Sequence, residues 1–134
     1  MAIEHFDDLL RAAGRQPEPQ RLLFVFAGAV LPAEASEAQR RDFDAGEGGE
    51  LLPLMCVDKA AAEMTDFRAL CAEAARAGPP WTIVFSAALS GRDGRPPGAG
   101  ETDAALRGMV DSIRAGRLDG LLAFDRAGLP QRLR

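Results

Sequence analysis

Histidine occurs once in the 134 residues, at His5, and cysteine twice, at Cys56 and Cys71. That scarcity removes several chemistries. A structural zinc site needs four nitrogen or sulfur ligands in short spacings, which one histidine and two separated cysteines cannot supply. A Ser–His or Cys–His couple would have to use His5, which lies in an acidic amphipathic segment and reads as a surface residue. The cysteines fall in apolar periodic stretches and read as two buried thiols of a reduced compartment rather than a disulfide. Long apolar runs are missing too. The longest, residues 22–31, is about half of what crosses a bilayer as a helix. The opening residues are acidic where a secretory signal needs a basic region. The expected compartment is therefore the cytoplasm, with no membrane partner.

Lysine is also nearly absent: Lys59 stands alone among 16 basic residues, the rest being arginine. The net charge of −4 is unevenly spread. Residues 1–80 carry 14 acidic and 8 basic side chains, net −6, and residues 81–134 carry 6 and 8, net +2. The acidic half argues against a nucleic-acid binder, whereas the basic half leaves room for a local anion site. With 47% hydrophobic and 27% charged residues, the chain has the composition of one ordinary domain spanning 1–134.

What is present is an alternation of periodicities. Ile3, Phe6, Leu9, Leu10 and Ala13 recur at helical spacing, and Gly14 is the expected stop. The prolines of 16–20 exclude helix there. Residues 22–31 read as a strand with both faces covered, ended by Pro32. A short surface helix is expected over 34–43, then an acidic glycine-rich turn over 44–49. Residues 51–58 read as a second strand, and Pro53 places it at an edge or marks a bulge. Met64, Phe67, Leu70, Cys71 and Ala74 share a helical stripe over 63–77, ended by Gly78-Pro79-Pro80. Residues 81–89 form a third strand, followed by a turn-rich loop over 90–100. Thr102 is the expected N-cap of a helix carrying Leu106, Met109, Val110 and Ile113. Residues 121–125 and 129–133 read as a terminal hairpin.

Strands alternating with helices predict an α/β domain: a mostly parallel sheet of four or five strands, flanked by helices, with a C-terminal β-hairpin. The expected core is Phe24, Phe26, Leu54, Cys56, Phe67, Leu70, Ile83, Phe85, Met109, Val110, Ile113 and Leu122.

Catalytic signatures are wanting. There is no P-loop, and Gly98-Ala99-Gly100 lacks the third glycine and the preceding strand of a dinucleotide fingerprint. Ser86 and Ser90 lack the glycines of a nucleophile elbow. Asp42-Phe43-Asp44-Ala45-Gly46-Glu47 fails the calcium-loop pattern at three positions, Gly46, Glu47 and Pro53. No metal, cofactor or catalytic residue is expected, and an enzyme is not the favoured reading.

One signal is positional. Ligands of parallel sheets bind beyond the carboxyl ends of the strands. The second strand ends in Asp58-Lys59 and the third leads into Arg92-Asp93-Gly94-Arg95. If those ends are neighbours, Lys59, Arg92 and Arg95 converge near the helix starting at Thr102 and suit a small anion such as a phosphate or carboxylate. The competing reading is that Asp58 and Asp93 neutralise these bases in ordinary surface pairs.

The stretches 6–10, 16–28, 53–59 and 87–92 resemble those of a small family of uncharacterised bacterial proteins, and together they run through most of the chain. Some members carry the label ribonucleotide reductase alpha subunit. That chemistry needs a far larger barrel, a radical-bearing cysteine and a redox cysteine pair. Two separated cysteines in 134 residues do not supply them, and no catalytic residue is carried over. Two functions stay open: a non-catalytic protein that self-associates, as a homodimer, or binds another protein, and a small domain that binds an anionic metabolite or nucleotide at Asp58, Lys59, Arg92, Asp93, Arg95 and Thr102.

Overall fold

A computed structural model describes residues 2–31, 33–45 and 50–132. Pro32 as a strand end, positions 46–49 of the acidic turn and position 133 of the last strand lie outside them. The order is α1 (Phe6–Gly14), β1 (Gln20–Val30), α2 (Glu37–Asp44), β2 (Glu50–Ala60), a 3-10 turn (Ala61–Glu63), α3 (Phe67–Ala77), β3 (Ile83–Ser90), α4 (Ala99–Arg114), β4 (Leu122–Phe124) and β5 (Pro130–Gln131).

Among the described residues five strands form one sheet in the order β2-β1-β3-β4-β5, and every pair is antiparallel. The expectation of a mostly parallel sheet is therefore wrong, and the reason is topological. β2 and β3 do run in the same direction and are joined through α3. But β1 lies between them, antiparallel to both. An alternating strand–helix order does not distinguish adjacent parallel strands from strands separated by a third. The terminal hairpin is present as β4–β5.

β1 is buried from Leu22 to Gly28, as its continuous apolar run requires. Its even positions Leu22, Phe24 and Phe26 meet α1 and α3 through Phe6, Leu9, Phe67 and Leu70, and Trp81, just before β3, joins the same cluster. Its odd positions Leu23, Val25 and Ala27 meet α4 through Leu106, Met109 and Ile113. The first face is aromatic: Phe6 lies 4.8 to 5.6 Å, ring to ring, from Phe24, Phe67 and Phe124. Trp81 packs edge-on against Phe26 at 5.0 Å. The second face is mainly aliphatic.

Several local readings are corrected. Cys56 is exposed and Leu122 is 42% exposed, so neither belongs to the core. Cys71 is half-buried. Leu54, Ile83 and Val110 pack at the core's margin. α3 starts at Phe67 rather than near residue 63, because the Asp66 carboxylate accepts from the Ala69 N–H and caps it there. α4 starts three residues before Thr102, with Gly98 as N-cap. The Thr102 hydroxyl is buried and donates to the Gly98 carbonyl at 2.9 Å. α2 has no buried residue, as expected of a surface helix. Both readings of Pro53 hold: β2 is an edge strand, and its register with β1 slips between Phe26 and Ala27, leaving Leu54 as the bulged residue.

Candidate functional site

The expected anion cluster is distributed rather than convergent. Successive residues of a strand point to opposite faces, and β2 ends with Asp58 on the α4 side and Lys59 on the α3 side. Lys59 is held by Glu73 of α3 at 2.7 Å. Asp58 is held by Arg21 at 2.6 Å, which also reaches Glu63 at 3.5 Å. Arg92 reaches Glu101, in the first turn of α4, at 3.1 Å. It therefore lies across the sheet from Lys59. Asp93 and Gly94 have positive φ, 54° and 75°, at the centre of a tight turn. The Arg92 and Arg95 backbones exchange hydrogen bonds across it at 2.9 and 3.0 Å, the pattern of a type I′ hairpin. Glu18 accepts from the Gly94 N–H at 2.7 Å. Carboxylates thus already serve Lys59 and Arg92, while Arg95 is placed by its backbone and Thr102 faces inward.

A second grouping was not foreseen: His5, Asp7 and Cys71 line one cavity of about 560 Å³ with Phe67, Arg68 and Arg126. A cysteine, a histidine and an aspartate together invite a thiol-nucleophile reading. The geometry refuses it. His5 Nδ1 accepts the Asp7 N–H at 3.0 Å, and Nε2 lies 3.1 Å from the Ala127 carbonyl. The ring is therefore the N-cap of α1 and a stitch to the β4–β5 connection. Asp7 accepts the Phe67 N–H at 2.8 Å and so caps α3. Burial pushes the Cys71 thiol above its ordinary value of 9.0, against a lesser lowering by Arg126. It is a protonated thiol at neutral pH. Ser86 is similarly inert: it is 1% exposed and its hydroxyl has no partner among the described residues. No group of three or more metal-ligating side chains occurs among the described residues.

The least served feature among the described residues is the outer edge of β2, where the Ala60 N–H donates to Glu63 Oε1 at 3.0 Å but no strand pairs. Bonded and non-bonded pairs alternate along an antiparallel ladder. The Gly91 N–H donates to the Pro19 carbonyl at 2.8 Å, one step beyond the Gln20–Ser90 pair. The odd-numbered residues of β1 therefore bond to β3 and the even-numbered ones to β2. Those partners on β2 are Met55, Val57 and Lys59. Cys56 and Asp58 consequently turn their N–H and C=O groups outward. Past the bulge, the outward positions are Leu51 and Pro53, and Pro53 has no N–H to offer. No described strand pairs with this edge.

The edge is flanked by an apolar cleft on each face, and Cys56 lines both. On the α4 side a cavity of about 330 Å³ is lined by Cys56, Leu106, Val110 and the charged row Asp103, Arg107 and Asp111. On the α3 side a cavity of about 300 Å³ is lined by Phe26, Met55, Cys56, Leu70 and Ala77, among others. An added strand would send alternate side chains into the two clefts. In sequence terms, Pro53 pointed to this edge, whereas the apolar spacing around Cys56 concealed it by imitating a buried strand.

No family model, curated protein or solved structure matches the chain. Among the described residues no helix is long and apolar enough to cross a membrane.

Proposed function

We propose that this is a non-catalytic cytoplasmic protein, of the small bacterial family its sequence resembles, that works by strand addition at the open edge of β2. The observation that carries the reading is the juxtaposition at Cys56. Unpaired backbone groups face outward there, and an apolar cleft lies on either side of the strand. Main-chain hydrogen bonds would supply a large part of the affinity and the clefts would select side chains. The engagement of His5, Asp7, Lys59, Asp58 and Arg92 in capping and pairing speaks for binding over catalysis.

A synthetic peptide spanning residues 54–60 serves as the probe strand. Amide exchange of Cys56 and Asp58 is expected to slow when it is added, while Met55 and Val57 are slow throughout. If Cys56 and Asp58 exchange at the same rate at every peptide concentration, strand addition at β2 is wrong. The anion reading has its own check. Phosphate, nucleotides and carboxylates should leave the melting temperature unchanged, whereas ligand at about 100 times its dissociation constant would add about 2.7 kcal/mol.

A further inference from the structure

We infer that the strand added to β2 is the β2 of a second copy of this chain, paired antiparallel about a two-fold axis; this rests on the strand-addition reading above. Three features point to a self-complementary partner.

The first is charge. Asp103, Arg107 and Asp111 recur every four residues, one row along α4. All three are exposed, line the cleft beside Cys56 and enter no ion pair among the described residues. A two-fold axis normal to the sheet sets α4 of each copy on the same face, running in opposite directions. An acid–base–acid row shifted by one turn against its own reverse brings each arginine against an aspartate of the other copy. The same row is selective. A partner helix with a uniform charge would meet at least one repulsive contact.

The second feature is termination. The bulge at Leu54 and the missing N–H of Pro53 stop a new ladder at one end, and the Ala60 N–H, already bonded to Glu63 at 3.0 Å, stops it at the other, which confines pairing to residues 55–59. The third is closure. The other edge of the sheet is the two-residue β5, too short to nucleate further growth. An isologous pairing at β2 alone makes a finite dimer rather than a fibre.

The test is sedimentation of the full chain at micromolar to millimolar concentration, with circular dichroism to show that each variant is folded. The wild type is expected to form a concentration-dependent dimer. Arg107→Asp turns the row into three acids and is expected to weaken association by about tenfold or more. The triple reversal Asp103→Arg, Arg107→Asp, Asp111→Arg restores an alternating row and is expected to restore the dimer. A mixture of wild type and triple reversal should sort into homodimers. A folded wild type that stays monomeric at millimolar concentration overturns the inference. So does a dimer that Arg107→Asp leaves intact, or a loss that the triple reversal does not repair. If the chain is monomeric yet the 54–60 peptide still protects Cys56 and Asp58, the second copy is refuted and strand addition stands.

Discussion

The two edges of the sheet are built by opposite strategies. At the β5 edge the chain is short and heavily stitched. β5 has two residues. The preceding connection is pinned to α1, since the Phe6 N–H donates to the Gly128 carbonyl at 2.8 Å and His5 Nε2 meets the Ala127 carbonyl. Asp125 accepts from the Ala127 and Leu129 N–H groups at 2.9 and 3.0 Å. At the β2 edge the strand is 11 residues long, and its outward groups meet no strand among the described residues. A protein that closes one edge so thoroughly shows that its sequence can manage an edge. The longer edge, with a cleft on each side, is the one on which the strand-addition proposal rests.

The contrast can be broken at the closed edge first. Phe6 is fully buried and its ring meets Phe124 of β4 at 5.1 Å. Phe6→Ala should cost about 3–5 kcal/mol in urea unfolding, and a loss below about 1 kcal/mol would mean that α1 does not anchor this end. Gly128→Val comes next. Gly128 has φ of 81°, and a Cβ there would lie 2.5 Å from His5 Nε2. The left-handed backbone alone costs about 1–2 kcal/mol for a side-chain-bearing residue, so a thermal melt should fall clearly below wild type. A neutral result would detach α1 from the β4–β5 connection.

At the open edge a proline pair sharpens the alternation. Val57→Pro removes a hydrogen bond to β1 and leaves a buried carbonyl unpaired, at about 1–3 kcal/mol. Cys56→Pro removes only an outward N–H. It should melt close to wild type yet fail to associate. Equal destabilisation by the two would reverse the assignment of which residues face out.

The smallest effect concerns pH at the closed edge. The backbone N–H of Glu4, with the Arg11 side chain, holds the Asp8 carboxyl below its ordinary value of 3.8. A depressed carboxyl stabilises the fold above the unfolded-state value and loses that contribution as pH falls through the folded-state value. Asp8 therefore adds to acid sensitivity only below about pH 4. Asp8→Asn should flatten the stability profile there; an unchanged slope would remove Asp8 from the cap of α1.

How much of this was legible depended on the range of the interaction. The amphipathic stripe Phe6-Leu9-Ala13, the doubly covered β1 and the terminal hairpin follow from local periodicity and were readable. Pro53 announced its edge and its bulge because a missing N–H has few places to go. Strand order was not readable, since inserting β1 between β2 and β3 is a non-local choice. With it went the convergence of Lys59 with Arg92. The start of α3 at Phe67 is obscured by an apolar stripe that runs back to Met64 past the Asp66 cap, and the start of α4 at Ala99 by Thr102, which has the side chain of a cap that Gly98 lacks. The grouping of His5 with Cys71 across 66 positions left no local trace either.

The most direct measurement is residue-resolved amide exchange along β2 as protein concentration is raised from micromolar to millimolar. The account predicts slow exchange at Met55 and Val57 throughout, and fast exchange at Cys56 and Asp58 that becomes slow as dimer forms. Fast exchange at Cys56 and Asp58 at every concentration, or protection already complete in the dilute monomer, would contradict it.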